Sequence, residues 1–226
     1  QQVLENRFEE YVRYLLEQAG LAPIGEKTLR QRYGQGKTVD CMIHDEEQIL
    51  LVEAKCVEMN HKATANQSND LFSMYMENSI IKGVRQGIET IERGIKKGDY
   101  LKKTYSLMIV TYGDMHLGSG VDVYNEFLKE SYEREWGAYD CTVLPPERIY
   151  FTAIHDLEDL VSAHACKAVG IWELLKRSTE ELQPHDSHLL SFMSESEMKS
   201  FKPLAALTQR FEDLMDSVLH SIKSDP

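Results

Sequence analysis

The sequence predicts an α/β domain of three layers, α/β/α, around a central mixed sheet, with C-terminal helices added. Three observations carry this. SLMIVTY (Ser106–Tyr112) and IYFTAI (Ile149–Ile154) are continuous apolar runs, the mark of strands buried on both faces. Amphipathic helical stretches alternate with them, which requires crossover connections and a partly parallel sheet. Earlier, TVDCMI and QILLVEAK flank the polar tetrad Asp45-Glu46-Glu47-Gln48, a pattern that suits an antiparallel hairpin. A chain of 226 residues is long enough for one such domain with a large core and a small appendage. The expected division is a domain over 1–168 and a helical extension over 169–226.

In chain order, residues 4–19 read as a helix. Phe8, Val12, Leu15, Leu16 and Ala19 recur at helical spacing, and Gly20 suits the position past a helix end. Glu26 to Tyr33 reads as a first strand, on which Arg30 and Arg32 share a face as solvated edge charges or phosphate contacts. The polar stretch from Asn60 to Asp70 reads as a loop. A long helix follows from Leu71 to Lys97, with Ile81, Val84, Ile88, Ile91 and Ile95 as its apolar stripe. Helices are predicted over 122–136 and 156–168, then over 171–182 and 204–222. Phe211, Leu214, Met215 and Val218 give the last an apolar face suited to an extra helical layer or an oligomer interface.

The hairpin carries the chemistry. A turn centred between Glu46 and Glu47 sets Asp40 opposite Glu53. Val39, Cys41 and Ile43 then share a buried face with Leu50, Val52 and Ala54, and the other face carries Asp40, Glu53 and Lys55. Like charges directly opposed across strands are destabilising. A cation between them relieves the repulsion, and hard oxygen ligands favour Mg²⁺ or Mn²⁺ over zinc. An ordinary solvated strand face is the other reading of the same residues.

Asp40, twelve residues, then Glu53-Ala54-Lys55 resembles the PD-(D/E)xK signature of restriction-endonuclease-like nucleases, with Val39 where the signature usually has proline. RFEEYVRYLLEQAG is similar to the opening helix of that superfamily, especially its Mrr-like branch, and the order of elements matches its core through about Ala168. The resemblance implies an Mg²⁺ site formed by Asp40, Glu53 and the Ala54 carbonyl, with Mn²⁺ as substitute. It implies Lys55 as the residue that orients the attacking water or stabilises the transition state, and Glu9, with Glu5 as runner-up, as an acid that organises the site. Gln86 and Lys82 are implied near the scissile phosphate. The implied activity is hydrolysis of nucleic-acid phosphodiesters, DNA ahead of RNA, in restriction, anti-phage defence or DNA repair. The alternatives are an RNA-directed nuclease and a catalytically silent nuclease-like scaffold or interaction subunit.

Net charge is −12, whereas nucleic-acid binders usually show a basic footprint. This points to a protein partner or a homo-oligomer. The most basic stretch holds Arg85, Arg93, Lys96, Lys97, Lys102 and Lys103. With Lys82 it is the candidate for phosphate contacts, a solvated helix face being the other reading. Four scattered cysteines suit a reduced cytoplasmic protein. No apolar run reaches the ~18 residues of a membrane span, and no signal-peptide pattern opens the chain. RYGQGK lacks P-loop spacing, no GxSxG is present, and the short Cys/His pairs form no paired CxxC frame for zinc.

Overall fold

A computed structural model describes residues 2–57, 76–99, 102–115, 117–180, 189–205 and 207. Helix α1 (Gln2–Gln18) leads through Gly20, at φ +78°, to a two-residue strand β1 (Ile24–Gly25) and helix α2 (Glu26–Tyr33). The hairpin follows as β2 (Cys41–His44) and β3 (Gln48–Lys55). A π-helical segment, Met76–Ile81, runs into α3 (Lys82–Lys96), which leads to β4 (Thr104–Thr111). Next come α4 (Gly120–Val123), a π segment Tyr124–Leu128, α5 (Lys129–Trp136) and β5 (Ile149–Ala153). Helices α6 (Ile154–Ala165), α7 (Ile171–Glu180) and α8 (Glu195–Ser200) complete the described elements.

The five strands form one mixed sheet in sequential order. β1, β2 and β3 pair antiparallel, whereas β3, β4 and β5 pair parallel. Helices cover both faces, giving the three α/β/α layers. On one face, Phe8, Val12, Leu15 and Leu16 of α1 meet Leu157, Leu160 and Val161 of α6 and Leu174 and Leu175 of α7, all over Leu50, Val52, Met108 and Val110. On the other, Val84, Ile88 and Ile91 of α3 and Leu128 and Tyr132 of the α4–α5 segment cover Leu51, Leu107 and Ile109. α7, beyond Ala168, is thus built onto the α1 layer.

Three local expectations are corrected. Glu26–Tyr33 is helix, because its buried residues, Leu29 and Tyr33, are four apart and Glu26 pairs with Arg30 at the same helical spacing. Val39 packs on the α3 face of the sheet rather than beside Cys41, because β2 begins only at Cys41 and the two-residue alternation does not extend back to it. Ile95, at 37% exposure, lies outside the buried stripe of α3. The hairpin register itself is as expected: Cys41 faces Val52, Ile43 faces Leu50, and Asp45 donates its N–H to the Gln48 carbonyl. Residues 58–75, which hold the expected loop and the start of the long helix, and 208–226, which hold most of the last helix, lie outside the described residues.

Candidate active site

The site lies where β3 runs out toward its C-terminal end, against the first turns of α3. Ile49 and Leu51 face α3 with ordinary apolar packing, and the same face then continues as Glu53 and Lys55. α3 can approach this closely because residue 83 is glycine. A Cβ there would press on Ile109 Cδ1 at 3.1 Å, with Glu53 Cγ and Lys55 Cε next at 3.4 and 3.5 Å, and one at Gly87 would lie 2.9 Å from Leu107.

Glu53 is 1% exposed. Its Oε1 accepts from Lys55 Nζ at 2.5 Å, while Oε2 has no hydrogen-bond partner. A buried carboxylate oxygen left unpaired is costly, so it is a place where a ligand could bind. Lys55 Nζ also donates to Gln86 Oε1 at 3.1 Å, and Gln86 Nε2 donates to the Thr38 carbonyl at 3.3 Å. Asp40, at the entry to β2, accepts the Ala54 N–H at 2.7 Å through Oδ2. The Lys55 carbonyl accepts from Tyr112 on the β4 side. Successive carbonyls along a strand alternate in direction, so the Ala54 carbonyl turns the other way, to the side of Asp40.

Burial raises the Asp40 pKa to about 8, the nearby Glu53 charge adding to the effect and the Ala54 N–H opposing it. Burial likewise raises Glu53, to about 7, against the lowering influence of Lys55 and the Asp40 N–H. Glu9 on α1 is also raised, mainly by desolvation and then by Glu26, with Lys55 opposing. Glu9, Arg13, Glu26, Lys27 and Asp40 line one open pocket of about 550 Å³. Two carboxylates that resist ionisation and an unpartnered buried oxygen fit a hard divalent cation held by Asp40, Glu53 and the Ala54 carbonyl. Among the described residues, no group of three His, Cys, Asp or Glu side chains forms a ready-made cage. A cation there would take two acids plus main chain as its donors.

The structure brings Asp40, Glu53, Ala54, Lys55 and Gln86 together, with Glu9 near enough to feel the Lys55 charge. The basic candidates are arranged differently. Arg30 pairs with Glu26, and Arg32 pairs with Asp99 at 2.7 Å. Arg85 bonds Glu89 at 2.6 Å and lies 4.5 Å over the Trp136 ring. Lys82 is partly buried at the start of α3, one residue before the close contact at Gly83. Sequence patterns miss Gly83, Gly87 and Thr90, although two glycines four apart on an amphipathic helix are a readable sign of close approach.

No protein-family model matches the chain, and no curated protein matches it.

Proposed function

We propose that this chain is a metal-dependent nuclease that hydrolyses phosphodiester bonds, with DNA as substrate and Mg²⁺, or Mn²⁺ in its place, as cofactor. The observation that carries this reading is the buried, unpartnered Glu53 Oε2, set beside Asp40 and within the Lys55–Gln86 hydrogen bonds. A purely structural ion pair has no use for a bare buried oxygen.

Asp40, Glu53 and the Ala54 carbonyl would hold the cation. A bound divalent cation supplies an acidified water and neutralises charge growing on the scissile phosphate. Both carboxylates must ionise to bind it, so loading releases protons near neutral pH. Lys55 presents a positive charge where negative charge develops on the phosphate and directs the attacking water. Gln86 keeps Lys55 from collapsing wholly onto Glu53 by offering its own carbonyl oxygen. Glu9 adds negative potential from the pocket side. In-line attack then leaves 5′-phosphate and 3′-hydroxyl ends, as the resemblance to PD-(D/E)xK enzymes implies.

The −12 charge and the pairing of Arg30, Arg32 and Arg85 within the chain support a basic partner that grips the phosphate backbone. Restriction, defence against phage or DNA repair inside the cell suits such an enzyme. Among the described residues, no helix is long and apolar enough to cross a membrane.

The test is cleavage of supercoiled plasmid, single-stranded DNA and RNA with Mg²⁺, Mn²⁺ or EDTA, comparing wild type with Glu53→Ala and Lys55→Ala. DNA cutting that needs metal and disappears in both variants supports the reading. Cutting that survives both substitutions, or wild-type protein that neither cuts nor binds Mn²⁺, rejects it. RNA cleavage without DNA cleavage would move the substrate to RNA.

A further inference from the structure

Asp40 lies just outside the β2 ladder: its carbonyl accepts the Glu26 N–H at 2.8 Å, but it follows an irregular segment, Gly34 to Val39, and precedes the first paired residue of β2. That segment is held from outside by one face of α3. Arg93 Nη1 donates to the Gly34 carbonyl at 2.9 Å, and Nη2 donates to the Lys37 carbonyl and, at 2.8 Å, to Thr38 Oγ1. Its Nε bonds back to the Glu89 carbonyl at 3.1 Å, which fixes the side chain along its own helix. Gly36, at φ +147°, makes room for it, since a Cβ there would come within 2.8 Å of Arg93 Nη1. One turn earlier, buried Thr90 accepts the Val39 N–H at 3.2 Å and donates to the Gln86 carbonyl at 2.7 Å. One turn earlier still, Gln86 holds the Thr38 carbonyl with one end of its amide and Lys55 with the other.

Gln86, Thr90 and Arg93 are four and three residues apart, so they form one row along α3. We propose that Thr90 and Arg93 are positioning residues: with Gln86 they clamp the Gly34–Val39 segment to α3 and so hold the Asp40 carboxylate against the Ala54 N–H, beside Glu53. This assigns Arg93 to main-chain carbonyls rather than to nucleic acid. A planar guanidinium can bridge several carbonyls at once, which a lysine ammonium on a flexible stem cannot reproduce. The consequence for metal affinity rests on the nuclease reading above; the clamp itself does not.

The Ala54 amide, bonded to the Asp40 carboxylate, is a reporter that needs no metal. Amide hydrogen exchange is measured by NMR on metal-free wild type, Arg93→Gln, Arg93→Lys, Thr90→Val and Thr90→Ser, with Met108 in β4 as reference. Ala54 should exchange about tenfold faster in Arg93→Gln, Arg93→Lys and Thr90→Val, with Met108 unchanged and Thr90→Ser near wild type. Unchanged Ala54 exchange in the folded variants overturns the clamp. So does equal acceleration of Ala54 and Met108, which would reveal only global loosening, or wild-type behaviour in Arg93→Lys, which would reduce Arg93 to a charge. If Arg93→Gln does not fold, the isosteric Thr90→Val decides. In parallel, Mn²⁺ binding should weaken about tenfold or more in the same variants, as for removal of groups that orient metal ligands. Equal Mn²⁺ affinity in all the proteins overturns the metal consequence. Absence of Mn²⁺ binding in wild type removes the nuclease reading and leaves the clamp to be judged on Ala54 exchange alone.

Discussion

Two ion pairs in this molecule are built on opposite principles. Arg177 on α7 forks onto both oxygens of Glu197 on α8, at 2.9 and 3.0 Å, and also bonds Glu173 and the Phe192 carbonyl. The Glu197 carboxylate additionally accepts the Ser194 N–H, and Arg177 and Ser194 together hold its pKa down at about 2. Every charged atom has a partner, and both side chains are partly exposed. Lys55 and Glu53 are the reverse. Glu53 is almost fully buried, one of its carboxylate oxygens is bare, and burial raises both it and Asp40, the Glu53 charge raising Asp40 further. A completed pair ties two helices together; an incomplete one leaves a buried oxygen that, on the proposed reading, a cation would satisfy.

The largest effect should come from removing the bare oxygen's charge. Glu53→Gln should abolish Mn²⁺ binding and lower metal-dependent cleavage by at least about a hundredfold, the scale of losing one strong electrostatic contact in an active site. Retained Mn²⁺ binding, followed by calorimetry, would mean that Glu53 is not a ligand. Lys55→Met should leave more of the Mn²⁺ affinity intact while cleavage falls by a similar factor, so the split between binding and rate separates the two roles.

The next effect concerns pH and has a definite sign. Asp40 and Glu53 ionise near 8 and 7 in the folded chain, against ordinary values of 3.8 and 4.5. Between these limits the folded state binds more protons than the unfolded one. The metal-free protein should therefore lose stability as pH rises from about 4 toward 8. Asp40→Asn keeps an oxygen for the Ala54 N–H but removes the charge. It should stabilise the metal-free protein at pH 8 by on the order of 2 kcal/mol, a rise of roughly 4–8 °C in Tm, with little difference at pH 5. Thermal unfolding at the two pH values checks this; a drop in Tm at pH 8 would show that the carboxylate is stabilising as it stands.

The smallest effect belongs to the completed pair. Arg177→Ala should cost about 1 kcal/mol, near the upper end for a partly exposed ion pair, and leave Mn²⁺ affinity unchanged. A thermal melt alongside a Mn²⁺ titration reads both. Weakened metal binding in this variant would erase the contrast between the two pairs.

Much of this arrangement was legible in the sequence because two-residue and 3.6-residue periods report which faces are buried. The hairpin register followed from the polar tetrad, and the α1 stripe from Phe8 to Ala19. Segment Glu26–Tyr33 was not legible: its apolar residues are few, and the Glu26–Arg30 and Leu29–Tyr33 spacings compete with an alternating pattern of charges. Arg30, Arg32 and Arg85 read from the sequence either as solvated charges or as phosphate contacts, because a sequence lists charges without their partners, and Asp99 and Trp136 meet Arg32 and Arg85 only after folding. Gln86 was reached through resemblance, whereas Thr90 and Arg93 bond main-chain N–H and carbonyl groups, which carry no residue-specific signal.

On the proposed reading, the Asp40–Glu53 pair is completed by a divalent cation. Mn²⁺ titration of wild type at pH 6 and pH 8, in buffers of different ionisation heat, tests it most directly. Binding should be tighter at pH 8, proton release should be greater at pH 6, and both should be lost in Glu53→Gln. Binding that is independent of pH, or that persists in Glu53→Gln, would contradict it.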